Sequence, residues 1–190
     1  MRLDTLLERL EYKVVQGSAE TEVTTLINDS RKVGNGSVFV CISGAVSDGH
    51  KYAAEVAEKG AAALVVEKDV EVPADVTVIK VEDTRYALAL MSAAYFGYPA
   101  EKLKIVGITG TKGKTTTTYM IKSILEETGH KVGLIGTIEA IIGEKKIPAA
   151  NTTPESYTIH QYFAEMVKEG CDCVVMEVSS QGLMLHRTAG

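Results

Sequence analysis

The sequence predicts an α/β fold in two successive parts, residues 1–99 and 100–190, built on mainly parallel strands. Three observations carry that prediction. Short apolar runs alternate with stretches of helical periodicity along the whole of the 190 residues, joined by brief connections. The composition is that of an ordinary globular chain: 45% hydrophobic and 24% charged, with 17 Gly, 4 Pro and no Trp, which excludes disordered, collagen-like and low-complexity classes. A break near Tyr98-Pro99-Ala100 coincides with a change in charge. Residues 1–100 carry 10 basic and 15 acidic side chains, and residues 101–190 carry 10 of each, so the first part holds the whole net charge of −5.

In the first part, Leu3, Leu6, Leu7 and Leu10 recur at helical spacing and mark a short amphipathic helix. An extended stretch over 23–28, the glycine-rich turn Gly34-Asn35-Gly36 and an apolar strand over 37–42 follow. Residues 52–59 read as a helix closed by Gly60, then 63–67 and 76–81 as strands. A longer helix spans 84–96, ended by Gly97 and Pro99.

The second part repeats the alternation. Residues 104–109 form an apolar strand that feeds a Gly-rich turn, and a helix runs from Lys114 to about Thr128, closed by Gly129. Residues 131–135 read as a strand. A helix is expected over 153–168, with Thr153 as its N-cap and Pro154 at its first position. The run 173–178 is a strand ending in Ser179-Ser180-Gln181-Gly182. About three sheet strands are thus expected after residue 100.

Several function classes drop out at this level. No apolar run approaches the ~20 residues needed to span a bilayer, and the N-terminus lacks a basic-then-apolar signal pattern, so a cytoplasmic protein without membrane attachment is expected. The mild acidity argues against a general nucleic-acid surface. Cys171 and Cys173 sit in a run that reads as a buried strand, where a thiol fills a core, and Cys41 has no partner in the pattern. The four histidines, at 50, 130, 160 and 186, show no zinc-ligand spacing.

The chemistry begins at Gly110-Thr111-Lys112-Gly113-Lys114-Thr115-Thr116, between a strand and a helix, where a phosphate-binding loop belongs. Backbone N–H groups in such a loop wrap an anion, and the helix N-terminus adds partial positive charge. Lys114 is placed to reach the β/γ-phosphates of ATP, and the Thr115 hydroxyl to ligate Mg²⁺. The strict G-x-x-x-x-G-K-[ST] pattern wants glycine at position 108, where this chain has Ile108; the match is to the variant T-G-T-x-G-K-T. The alternative is an incidental Gly/Thr turn, and the register of strand, loop and helix favours the phosphate site. Such a site needs an acid for the metal. Glu177, at the end of the apolar run 174–178, lies on the ligand side of a parallel sheet and is the candidate.

With these residues in hand, the chain resembles the Mur ligase family. The resemblance is carried by T-G-T-K-G-K-T-T-T-T at 109–118, N-T-T-P-E at 151–155, and E-V-S-S-Q-G at 177–182. In the first part it is carried by D-S-R-K-V at 29–33, G-S-V-F-V at 36–40 and D-G-H at 48–50. Lys112 departs from the Asn common in these loops, adding a charge beside the phosphates. Within the family, N-T-T-P-E favours the type that adds a diamino acid, meso-diaminopimelate or L-lysine, to UDP-MurNAc-L-Ala-D-Glu. The resemblance implies a small UDP-MurNAc-binding domain over 1–99 and the first part of a P-loop, Rossmann-like ATPase domain over 100–190.

The implied reaction is ATP-dependent amide formation in peptidoglycan precursor synthesis through an acyl phosphate. The implied ATP- and Mg²⁺-binding residues are Gly110 to Thr116, with Lys114, Thr115 and Glu177 catalytic and the last two on the metal. The implied substrate contacts are Ser30 and Arg31 at the uridine diphosphate end with His50 nearby, Thr152 and Thr153 on the muramoyl-dipeptide, and Ser180, Gln181 and Arg187 on the same wall. The family pattern continues past residue 190, with a modified lysine, the adenine contacts and the amino-acid pocket, so ligation by these 190 residues alone is not expected. Two alternatives stand beside this one. The first is another amide ligase of the superfamily; the second is a P-loop NTPase or binding module that is not a ligase.

Overall fold

Two five-stranded sheets organise the computed structural model, which describes residues 1–44 and 47–190. Each sheet belongs to its own compact unit, Met1–Tyr95 and Phe96–Gly190.

In the first unit the order is α1 (Leu3–Leu7), β1 (Lys13–Gln16), β2 (Leu26–Ile27), β3 (Val38–Val40), α2 (Ala53–Glu58), β4 (Ala63–Val66), β5 (Thr77–Lys80) and α3 (Thr84–Tyr95). The strands lie in the order β1-β5-β4-β3-β2. Strands β2 to β5 are parallel to their neighbours, and β1 closes the edge antiparallel to β5. Parallel strands covered on both faces need apolar side chains at every position. Val38-Phe39-Val40 and Ala63-Leu64-Val65-Val66 meet that need and are buried throughout.

Alternation along each strand divides these side chains between two faces. Phe39, Leu64, Val66 and Val78 pack with Ala53, Val56 and Ala57 of α2. Val38, Val40, Ala63, Val65 and Ile79 point the other way, the side left for the buried stripes of α1 (Leu3, Leu6, Leu7) and α3 (Ala87, Leu88, Met91). Each fully buried Leu, Ile, Val or Phe contributes roughly 1.5–3 kcal/mol of transfer free energy.

The second unit runs β6 (Lys104–Ile108), α4 (Lys114–Glu127), β7 (Val132–Ile135), β8 (Glu139–Ile142), β9 (Lys145–Pro148), α5 (Ser156–Lys168), β10 (Cys173–Glu177) and α6 (Ser180–Met184). The sheet order is β6-β10-β7-β8-β9. Strand β10 is parallel to both β6 and β7, while β8 and β9 fold back as an antiparallel meander. In each sheet, therefore, four of the five strands run one way. Helix α5 covers one face, with Ile159, Phe163 and Met166 against Ile135, Ile142, Val174 and Met176. Helix α4 covers the other, with Ile121 and Leu125 against Val132, Cys173 and Val175.

Three sequence expectations change. The second unit has five strands rather than about three, because the hairpin β8–β9 turns tightly at Gly143, whose φ is +57°. The helix expected from Thr153 begins at Ser156, with Glu155 extended at its N-cap and no side-chain cap. Thr153 is engaged elsewhere, and a residue before proline is disfavoured in helical conformation. The units divide at Tyr95–Phe96, just ahead of the turn made by Gly97 (φ +73°) and Tyr98 (φ +52°). No helix among the described residues is long and apolar enough to cross a membrane. All three cysteines are free and buried, and burial pushes the Cys41 thiol up to about 12.

Candidate functional site

Strand β6 delivers the chain into the loop 109–113, and α4 starts directly after it. The loop depends on two positive-φ glycines, Gly110 (φ +147°) and Gly113 (φ +81°), a conformation side-chain-bearing residues avoid. Gly113 is the N-cap of α4 and supplies no side-chain acceptor, so the first-turn N–H groups of this 14-residue helix keep their capacity for an anion. The Lys114 ammonium folds back onto the Gly110 carbonyl at 2.8 Å, closing the loop on itself. The buried Thr118 hydroxyl donates to the Thr115 carbonyl at 2.8 Å and stiffens the first turn. Thr111, Lys112 and Thr116 are exposed around the loop.

The Thr115 hydroxyl donates to Glu177 Oε1 at 2.9 Å, across 62 residues of sequence. Glu177 ends β10 and is 1% exposed. A carboxylate that deep requires donors, and it has them. The Thr137 N–H reaches Oε1 at 2.8 Å and the Thr137 hydroxyl reaches Oε2 at 3.1 Å. Gly136 makes room for it, since a Cβ at that position would stand 2.6 Å from Oε1. A hydroxyl beside a carboxylate, at the N-terminus of α4, is a hard-oxygen donor set of the kind Mg²⁺ takes with substrate phosphates. The pair Thr115 and Glu177 therefore fits the metal.

Behind this pair lies the segment 149–155. The Thr152 and Thr137 hydroxyls are 3.0 Å apart. Thr153, 1% exposed, is not a helix cap. Its hydroxyl sits against the Glu177 carbonyl at 3.1 Å and accepts the Ser179 N–H at 2.9 Å, tying the loop to the end of β10. Ser179 in turn caps α6, accepting the Gly182 N–H at 3.0 Å. Arg187 is not a solvated charge: it is 13% exposed, donates to the Thr153 carbonyl at 2.9 Å and pairs with Glu155. It braces the loop from within. Ser180 and Gln181 are exposed in the first turn of α6. A cavity of ≈170 Å³ opens beside the cluster, lined by Gly136, Ala140, Asn151, Glu155, Thr158 and Tyr162 among others.

In the first unit Asp29 caps the turn Ser30–Lys32 and takes a bidentate pair from Arg31, Nε to Oδ1 at 2.9 Å and Nη2 to Oδ2 at 2.8 Å. The guanidinium holds the Asp29 carboxyl down to about 2. Arg31 itself is 86% exposed, so its remaining N–H groups face water. Ser30 is half-buried. His50 has both ring nitrogens engaged: Nδ1 with Asp48 at 2.6 Å, and Nε2 accepting the Glu67 N–H at 3.0 Å. Its ring, 7% exposed, offers no spare donor or acceptor. Lys68 completes the group by donating to Asp48 at 2.7 Å, and together these donors hold the Asp48 carboxyl well below its ordinary range.

Thr137, Gly136 and Ser179 are the site residues that sequence reasoning missed. The signal available for Thr137 is its position just past the C-terminal end of a parallel strand, the same rule that singles out Glu177. Spacing also hides the cluster of His130, Asp172 and Cys173, whose donor atoms lie within 4.8 Å of one another. There the His130 ring pairs with Asp172, whose other oxygen accepts the Lys131 N–H.

Comparison with known proteins places both units. The family description "Mur ligase family, catalytic domain" matches residues 22–96, and "Mur ligase middle domain" matches residues 108–190. A UDP-N-acetylmuramoyl-L-alanyl-D-glutamate–2,6-diaminopimelate ligase of Clostridium perfringens is 52% identical over 190 residues, covering 100% of this chain and 39% of its own length. The ligase of the same name from Bacillus licheniformis is 46% identical over 191 residues, again with 39% of its length covered. The chain thus spans about 40% of the length of the curated relatives it matches. Among solved structures, one bearing that ligase name superposes with a TM-score of 0.80 at 23% identity, covering 100% of this chain and 38% of that one. A MurF from Acinetobacter baumannii gives 0.61 at 25% identity, covering 94% and 35%.

Proposed function

The chain belongs to the Mur ligase family, and from that premise we propose that it carries the nucleotide-binding and acceptor-binding parts of a MurE-type ligase, which joins a diamino acid to UDP-MurNAc-L-Ala-D-Glu at the expense of ATP. The observation that carries this reading is the hydrogen bond from Thr115, in the phosphate loop, to Glu177, at the end of β10.

In the proposed reaction the acceptor's free carboxylate attacks the γ-phosphorus of ATP and ADP leaves. The amine of the diamino acid then attacks the acyl carbon, forming the amide and releasing phosphate. Magnesium, when bound, neutralises charge on the transferring phosphoryl group. This chain's residues supply the rest. The loop N–H groups from Gly110 to Thr116 cradle the phosphates, and the Lys114 ammonium leaves the Gly110 carbonyl for the β/γ-oxygens. Thr115 and Glu177 hold the metal. Thr152 presents its hydroxyl to the acceptor, Thr153 and Arg187 keep that segment in place, and Ser180 and Gln181 face the same side from α6. Asn151 and Tyr162 line the neighbouring cavity, which we assign to the peptide end of the acceptor. Ser30 and Arg31 are the donors proposed for the diphosphate, with His50 supporting its own loop rather than touching ligand. Soluble nucleotide substrates are consistent with action in the cytoplasm.

Two binding measurements test this. A fluorescent ATP analogue with Mg²⁺ and, separately, calorimetry with UDP-MurNAc-L-Ala-D-Glu are each expected to saturate on the 190-residue chain. Nucleotide binding without any response to the UDP-sugar peptide would instead point to a P-loop protein that is not a ligase.

A further inference from the structure

We propose that Thr137 is the positioning residue of the metal carboxylate, and that its hydroxyl couples Glu177 to Thr152 in a fixed donor order. The proposal rests on the phosphate-site reading above and concerns a residue to which that reading gives no part.

Proton accounting carries the inference. Glu177 receives three hydrogen bonds in this cluster: two on Oε1, from Thr115 and from the Thr137 N–H, and one on Oε2, from the Thr137 hydroxyl. A hydroxyl has one proton to give, and that of Thr137 is directed at Oε2. The contact at 3.0 Å between the Thr137 and Thr152 hydroxyls then has only one possible sense: Thr152 donates and Thr137 accepts. The order is Thr152 to Thr137 to Glu177.

Two consequences follow. The backbone N–H of Thr137 fixes one carboxylate oxygen whatever the side chain, but only a hydroxyl at 137 fixes the other, and with it the rotation of the carboxylate plane. Thr152, its proton spent, presents lone pairs alone. It is therefore an acceptor on the acceptor-substrate side, suited to an N–H or O–H donor such as a peptide amide and unsuited to a carboxylate.

The experiment is a Mg²⁺ titration of fluorescent ADP-analogue binding to the 190-residue chain, carried out on wild type, T137V, T137A, T137S and the pair T137V/T152V. Residue 137 is exposed, so the substitutions leave the fold in place, which melting curves check. Loss of the hydroxyl is expected to raise the half-saturating Mg²⁺ about tenfold in T137V and T137A, the size of one hydrogen bond to a charged group. T137S is expected to stay within about twofold of wild type, and nucleotide binding in EDTA to be unchanged in all. Adding T152V to T137V is expected to cost nothing more, because the link is already broken. A wild-type response to Mg²⁺ that T137V and T137A leave untouched overturns the role of Thr137 alone, as does a T137S as impaired as T137V. A wild-type chain whose nucleotide binding ignores Mg²⁺ overturns the phosphate-site reading and takes this one with it.

Discussion

Lys114, Thr115 and Glu177 come from two separate stretches of sequence, and each is held by a different device: a folded-back ammonium, a hydroxyl bond and a carboxylate cradle. Each device has its own mutational signature. K114A is expected to weaken nucleotide binding roughly ten- to a hundredfold, the range for lost charge-assisted hydrogen bonds, with the melting temperature nearly unchanged because the side chain only closes a loop. G136A acts sterically. Its Cβ would meet Glu177 Oε1 at 2.6 Å, so the carboxylate must move, and the Mg²⁺ response in nucleotide titrations should weaken while binding in EDTA survives. Asp29 gives a pH signature. Its carboxyl is held down to about 2 by Arg31, so the stability it contributes is present above the ordinary aspartate value of 3.8 and is lost as pH falls from there toward 2. Denaturant unfolding against pH is expected to show that decline, and D29N to flatten it. At this scale the sequence was readable for placement, as at Lys114, which opens α4 directly after the glycine loop. It was opaque for His50 and Arg187, because a side chain's type does not say whether its partner is a ligand or its own chain.

The strands that periodicity reveals, β3, β4 and β10, are buried at every position and apolar throughout except for Glu177 at the end of β10. The elements it hides are β1 and the hairpin β8–β9. Strands β1 and β9 are outer strands whose residues are mostly exposed, so Lys13-Val14-Val15-Gln16 and Lys145-Lys146-Ile147-Pro148 carry no full apolar run. A helix start is equally hard to read when a tertiary bond competes for the capping residue, as Glu177 and Ser179 do for Thr153. Packing between elements yields its own test. Helix α5 crosses β7 so closely that a Cβ on Gly133 would lie 2.4 Å from Met166 Sδ. G133A is expected to destabilise the second unit by about 1–3 kcal/mol in urea unfolding, the usual cost of overpacking. M166A in the same background should recover part of that loss, whereas no recovery would mean the strain lies elsewhere.

The whole chain divides into units that carry very different charge. All of the −5 lies in Met1–Tyr95, and Phe96–Gly190 is balanced. An acidic unit proposed to take a diphosphate must work by local geometry, as the exposed Arg31 on its Asp29 anchor suggests. Each unit has its own sheet and core, so residues 1–95 expressed alone are expected to unfold in one cooperative transition and to bind UDP in calorimetry. R31A should weaken that binding several-fold without moving the transition.

The loop 109–113 hangs from β6, and β6 is an outer strand of its sheet, bonded on one side to β10 and with Ile105 43% exposed. Alternate amides of such a strand have no ladder partner, so the segment feeding the loop should trade its protons with solvent faster than β10 or β7, whose strands are bonded on both sides. Deuterium uptake would then make β6 a clock for the loop. Ligand in the loop should slow uptake in 104–113 before it slows anything in the buried strands.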